Sequence, residues 1–163
     1  ASLDAIAEKA GLTKGAVYSN FKGKDDLLEA LADRAGPSID FDDIWDDDAT
    51  LADNLEAVGR AAATELRTVS RRAWQLGLEL YHFALRDPSM RRTYAAEQRR
   101  GHAQTTQFFA EAIAAEGVKT ILSPAEIEIT MNALAMGLAQ RRAIDPSLVP
   151  DELFAKAFRL LAA

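Results

Sequence analysis

The opening run, Leu3-Asp-Ala-Ile-Ala-Glu-Lys-Ala-Gly-Leu-Thr-Lys-Gly-Ala-Val-Tyr-Ser-Asn-Phe-Lys-Gly-Lys24, constrains this chain more than any other stretch. Three residues set a geometry. Ala7 is small enough for two helices to cross closely, and Gly11 supplies the left-handed backbone that a tight turn between them needs. Val17 is the β-branched plug that the second helix drops onto the first, with Ile6, Ala10, Leu12 and Phe21 completing a shared apolar centre. Ser2 is placed to cap the first helix and Thr13 the second. The pattern is that of a helix-turn-helix, in which the second helix enters the major groove by its N-terminal residues.

Charge follows the same boundary. The chain carries a net charge of −6, which argues against a general polyanion binder. Yet Lys9, Lys14, Lys22 and Lys24 lie in a window without a single acid, and acids resume at Asp25, Asp26 and Glu29. A local basic surface in an acidic protein is what groove docking requires. Gly15 costs a helix about 1 kcal/mol relative to Ala, which makes sense where a phosphate or base edge has to come close.

Thr-Lys-Gly-Ala-Val-Tyr-Ser-Asn-Phe-Lys-Gly-Lys-Asp-Asp-Leu-Leu (13–28) resembles the signature of TetR-type transcriptional regulators, over residues 2 to about 34. The resemblance implies that Thr13, Lys14, Gly15 and Ala16 face phosphate or bases, and that Tyr18 touches phosphate or a thymine methyl. Ser19 and Asn20 complete the candidate DNA-binding set, and Lys24, opening the next helix, would hold backbone phosphate. Ser19 and Asn20 replace the aromatic or His residues common there, and Lys22-Gly23 replaces a Pro-Ser type turn, so the operator sequence stays open. Regulators of this type have one more helix before the residue matching Ser2, so a helix and a tail are expected upstream of Ala1.

Composition narrows the rest. Hydrophobic residues make up 48% of the 163, ample for a core, and cysteine is absent, which removes disulfides and thiolate chemistry and suits a reducing cytoplasm. No apolar run approaches the ~18 residues of a membrane span. Alanine is abundant and β-branched residues are sparse, so the expected fold is all-α: a helix-turn-helix head over 1–35 and a helical ligand-binding and dimerisation body over 36–163.

Within the body, Gly36-Pro37 is a break, and residues 38–50 hold six aspartates around Ile39, Phe41, Ile44 and Trp45, an acidic loop anchored by its apolar side chains. The spacing of Asp42, Asp46 and Asp48 does not fit an EF-hand. One helical face then runs from Leu51 through Leu55, Val58, Ala62 and Leu66. Residues 71–86 carry two apolar lines, Trp74-Leu78-Tyr81-Leu85 and Ala73-Leu76-Leu80-Phe83, which predicts a helix sandwiched in a core. A long helix from Pro88 to Glu116 closes at Gly117. Ser123-Pro-Ala-Glu126 is a capping box with Pro at the first position, and a last helix covers 151–161.

Tyr94, Gln98, Gly101, Thr105 and Phe108 repeat at steps of three and four, so they share a face. Buried amides and hydroxyls need partners from protein, water or ligand. With Trp74 and Tyr81 across from them, these residues form the candidate effector site: Trp74, Tyr81, Tyr94, Gln98, Thr105 and Phe108. His82 and His102 read as exposed, and neither has metal-ligand company; no metal and no cofactor are expected. The last two helices are the candidate dimer contact, through Leu134, Gly137, Leu138, Arg141, Phe154 and Phe158. A homodimer also suits the head, since palindromes are read by two recognition helices about 34–36 Å apart.

The functional expectation is a cytoplasmic, ligand-responsive regulator, a repressor released from a palindromic double-stranded DNA operator by a small, largely apolar effector. The alternative is a helical small-molecule-binding or interaction module that does not bind DNA, recognisable by binding without strong salt dependence. No Gly-rich phosphate loop and no paired nucleophile and base suggest an enzyme.

Overall fold

The computed structural model describes residues 13–15, 19, 26, 39–69 and 71–163. Among these there are helices and no strands: α1 (Leu51–Thr68), α2 (Arg71–Arg86), α3 (Pro88–Glu116), α4 (Pro124–Ile144) and α5 (Asp151–Arg159), with short 3-10 turns at Pro146–Leu148 and Leu160–Ala162. The chain forms two compact units, one of Ala1–Gly36 with Arg72–Glu97 and one of Pro37–Arg71 with Gln98–Ala163. The first unit therefore takes in more than the 1–35 head, because it also claims α2 and the start of α3.

Local chemistry sets the helix ends. Thr50 caps α1, accepting from the Asp53 N–H while its own hydroxyl donates to Asp53 at 2.7 Å. Asp87 accepts from the Met90 N–H at 2.8 Å at the start of α3. Gly117 ends that helix with φ +71, a conformation a side chain would strain. The capping box at Ser123 is reciprocal: Ser123 accepts from the Glu126 N–H and Glu126 accepts from the Ser123 N–H.

In the second unit the core gathers Leu51, Leu55, Val58 and Ala62 of α1 with Phe109, Ile127, Met131, Phe158 and Leu161. The acidic segment closes one side of it. Phe41 and Trp45 stack tilted or edge-on against Phe108 and Phe109, at 4.8 to 6.2 Å between centroids. The buried Asn54 side chain pins the same segment, donating to the Asp46 carbonyl and accepting from its N–H, both at 2.9 Å. The aspartates bend back on their own backbone, as where the Asp48 N–H donates to the Asp46 carboxylate at 3.0 Å.

Gly59 is where α1 and α5 meet. A Cβ there would lie 2.6 Å from the Phe154 carbonyl oxygen and 2.8 Å from the Ala155 Cα. Arg142 of α4 binds this pair of helices together. Its guanidinium donates to Asp151 at 2.7 Å and to the Ala63 carbonyl at 2.8 Å, and lies 4.8 Å over the Phe154 ring. Arg67 pairs with the same carboxylate.

One expectation changes in α2. It is not sandwiched along its length, because Tyr81 and Leu85 on the first apolar line are 46% and 54% exposed. Trp74, Leu78 and Phe83 are half-buried.

Candidate functional site

The head contributes Thr13, Lys14, Gly15 and Ser19 to the described residues. Lys14, Gly15 and Ser19 are helical, Thr13 stands immediately before them, and all four are exposed. Among the described residues nothing lies within 4 Å of where a Gly15 Cβ would be. Ala16, Tyr18, Asn20 and Lys24 lie outside the described residues, as do Ala7, Gly11 and Val17.

The six effector candidates separate into groups. Tyr81 and Tyr94 come together within the first unit, rings edge-on at 6.1 Å. Burial pushes the Tyr94 phenol above its usual range, and the neighbouring Tyr81 adds to the shift. Tyr94 also packs with Phe83 against Ala84 and Met90; Trp74 is half-buried. In the second unit Thr105 is half-buried, whereas Gln98 is exposed, so its amide has water and needs no buried partner. Phe108 is occupied by Phe41, Trp45 and Phe109, as part of the core's aromatic wall.

The dimer candidates divide in the same way. Phe154 and Phe158, 0% and 1% exposed, fill the interior of their own chain and have no surface to offer a partner. Leu134 and Leu138 are half-buried against the core, while Gly137 and Arg141 are exposed and a Gly137 Cβ would meet open space. The outward side of α4 is nonetheless apolar, with Ile129, Met136 and Ile144 at 57%, 41% and 89% exposure. These residues, with Ala133 and Gly137, share one helical face. The candidate stripe through Leu134, Leu138 and Arg141 lies on the other side of the helix, the one the chain itself partly covers.

Sequence reasoning missed a polar cluster between α3 and α4. Glu128, 7% exposed, is the buried acid among the described residues. It accepts from His102 Nδ1 through one carboxylate oxygen and from the Asn132 amide, at 2.5 Å, through the other. His102 is thus half-buried and engaged, not a surface histidine. A partner 26 positions away gave the sequence no local signal.

No helix among the described residues is long and apolar enough to cross a membrane. Residues 1–31 match the profile of the bacterial regulatory proteins of the tetR family, and residues 51–162 match that of the BetI-type transcriptional repressor C-terminal region. Two Pseudomonas putida proteins, the uncharacterized HTH-type transcriptional regulator TtgW and the HTH-type transcriptional regulator SrpR, are each 56% identical over 43 residues, 25% of this chain. Those matches span 32% and 20% of the two relatives' own lengths. Among solved structures, a Rhodococcus sp. protein assigned to the TetR family superposes with TM-score 0.66 at 19% identity, covering 100% of this chain and 88% of that one. A transcriptional regulator from Rhodococcus sp. Rha1 gives 0.61 at 20% identity, covering 99% and 83%. At such identities the structures speak for the fold, an all-α one, and the two profiles together speak for descent: the chain belongs to the TetR family of bacterial regulatory proteins.

Proposed function

We propose that this protein is a ligand-responsive transcriptional regulator, a repressor that leaves a palindromic operator when a small, largely apolar effector binds its helical body. The observation that carries the DNA-binding part is the exposed helix start Thr13-Lys14-Gly15, with a glycine that no described residue crowds. An exposed glycine that weakens its helix by about 1 kcal/mol fits a surface that a duplex must approach.

Dimerisation belongs to the same reading. The open apolar face of α4 around Ile129 and Met136, widened by Ala133 and Gly137, suits a second copy of the chain, so the contact is assigned to this face and not to Phe154 and Phe158. Effector binding would favour the arrangement in which the two heads are wrongly spaced; by linkage, DNA weakens effector affinity by the same factor.

The test is an operator selected from random duplexes, followed by affinity measurements across salt concentration. Binding should weaken steeply as salt rises, and Lys24→Ala should weaken all duplexes alike and flatten the logarithmic salt slope by about one unit. Absence of operator affinity at every salt concentration would remove the DNA-binding reading.

A further inference from the structure

Glu128 has no part in the core or in the head. A buried carboxylate carries a desolvation penalty that only a close partner with N–H groups offsets. Here both partners are movable: Asn132 is exposed and His102 is half-exposed, and each reaches the carboxylate by its side chain alone. The ring of His102 presents one N–H to Glu128 where an N–H cation would be matched to the carboxylate in both charge and hydrogen bonding. One helical turn along α3, on the same face, Thr106 has a buried hydroxyl oxygen with no hydrogen-bond partner among the described residues. An orphaned buried hydroxyl one turn from the histidine that binds a buried acid is a cost that a ligand's polar atom would relieve. Met131 of α4 and Phe109 of α3, both buried, belong to the apolar core that the two helices share.

From this juxtaposition we infer that the His102–Glu128–Asn132 cluster, with Thr106 beside it, is a binding site for a small molecule with an apolar body and one protonated nitrogen bearing N–H groups. The proposal rests on the reading of the chain as effector-responsive and gives that effector a charge. Glu128 is the anchor, Asn132 keeps its second oxygen oriented, and His102 holds the carboxylate until the ligand's nitrogen displaces it. Thr106, about 6 Å along the helix from His102, takes a second polar atom where the ligand has one. No bond is made or broken. A neutral ligand of the same shape forfeits the charge-assisted bond and leaves Glu128 to His102.

The experiment is calorimetric titration of the protein, without DNA, with benzylammonium chloride and with benzyl alcohol. Benzylammonium is expected to bind at least tenfold more tightly, and Glu128→Gln, which keeps the shape of the side chain, should abolish that preference. His102→Ala removes the competitor and retains the anchor, so it should preserve or tighten binding; this arm stands even where the Glu128 variant fails to fold. In nuclear magnetic resonance the imidazole signals of His102 should move on titration, while those of His82, exposed on α2, serve as the fixed control. Equal binding of the two probes, a preference retained in Glu128→Gln, loss of binding in His102→Ala, or His102 signals unmoved at saturation would overturn the proposal. Because no duplex is present, failure here leaves operator binding untouched, and absence of operator binding leaves the ammonium preference intact.

Discussion

Replacing Gly59 by Ala should destabilise the protein although it adds the best helix former to a helix interior. Taken alone, the substitution favours α1 by about 1 kcal/mol. The added methyl, however, would lie 2.6 Å from the Phe154 oxygen, 2.8 Å from the Ala155 Cα and 2.9 Å from the Ala155 nitrogen. All three are backbone atoms, so no rotamer change gives way; α5 has to move outward by about 1 Å to restore ordinary contact. Moving it loosens Phe154, Phe158 and Leu161 from Leu55, Val58 and Ala63, and it draws Asp151 away from Arg142. Overpacking of this kind costs about 3 kcal/mol, which leaves a net loss of about 2 kcal/mol after the propensity gain. For a chain of this size that corresponds to a Tm lower by about 4–8 °C. Gly101→Ala is the control: nothing lies within 4 Å of its added Cβ, so the propensity gain should appear undiminished. Thermal melts and urea titrations of both variants decide the matter. If Gly59→Ala is as stable as the parent or more so, the close α1–α5 crossing is wrong, and with it the account of how the body is held.

Three further outcomes follow from the same geometry. Gly15→Ala, with no described residue within 4 Å of its Cβ, should leave the melting temperature unchanged or higher yet reduce operator affinity, as read by a thermal melt beside an anisotropy titration; unchanged affinity would mean that no duplex approaches that backbone. Ile129→Glu combined with Met136→Glu places two charges on the apolar side of α4 and should convert dimer to monomer in analytical ultracentrifugation with little change in helix content. Lowering pH should release the surface link between α1 and α5. The Arg159 hydrogen bond, followed by that of Thr50, holds the Asp53 carboxyl below its usual range. For Glu56 the Arg60 bond leads and Arg159 adds to it. A depressed carboxylate contributes stability that is fully present above its unfolded value and lost as pH falls through the folded one, so Asp53→Asn should flatten the acid limb of a stability-versus-pH curve. An unaltered limb would show that the pair contributes nothing in solution.

How much of this was legible in the sequence depends on how far each cause lies from its effect. The capping box at Ser123, the end of α3 at Gly117 and the start of α3 after Asp87 are set by residues within four positions, and each boundary was readable for that reason. The anchoring of the acidic segment by Phe41 and Trp45 was readable as a pattern, since large apolar side chains among aspartates have to find cover. Partners were not readable. Phe154 and Phe158 mark an apolar face, but periodicity does not distinguish a face covered by the same chain from one covered by another copy. Gly59 looks like any small residue in a helix until α5, nearly a hundred positions later, lies against it.

The effector stripe shows why a correct periodicity can still mislead. Tyr94, Gln98, Thr105 and Phe108 do lie along one side of α3, as steps of three and four require. But α3 belongs to both compact units, changing from one to the other between Glu97 and Gln98. One geometric stripe therefore has different surroundings along its length: Tyr94 packs with Tyr81, Gln98 meets solvent, and Phe108 enters the aromatic wall. A polar residue that does reach a buried side chain is His102, midway along the same helix, because Glu128 on α4 is turned inward to meet it. Shared direction on a helix fixes which side chains can act together only where a single environment faces them all. A buried acid, which has to be answered wherever it sits, is the stronger guide to where a ligand would bind this body.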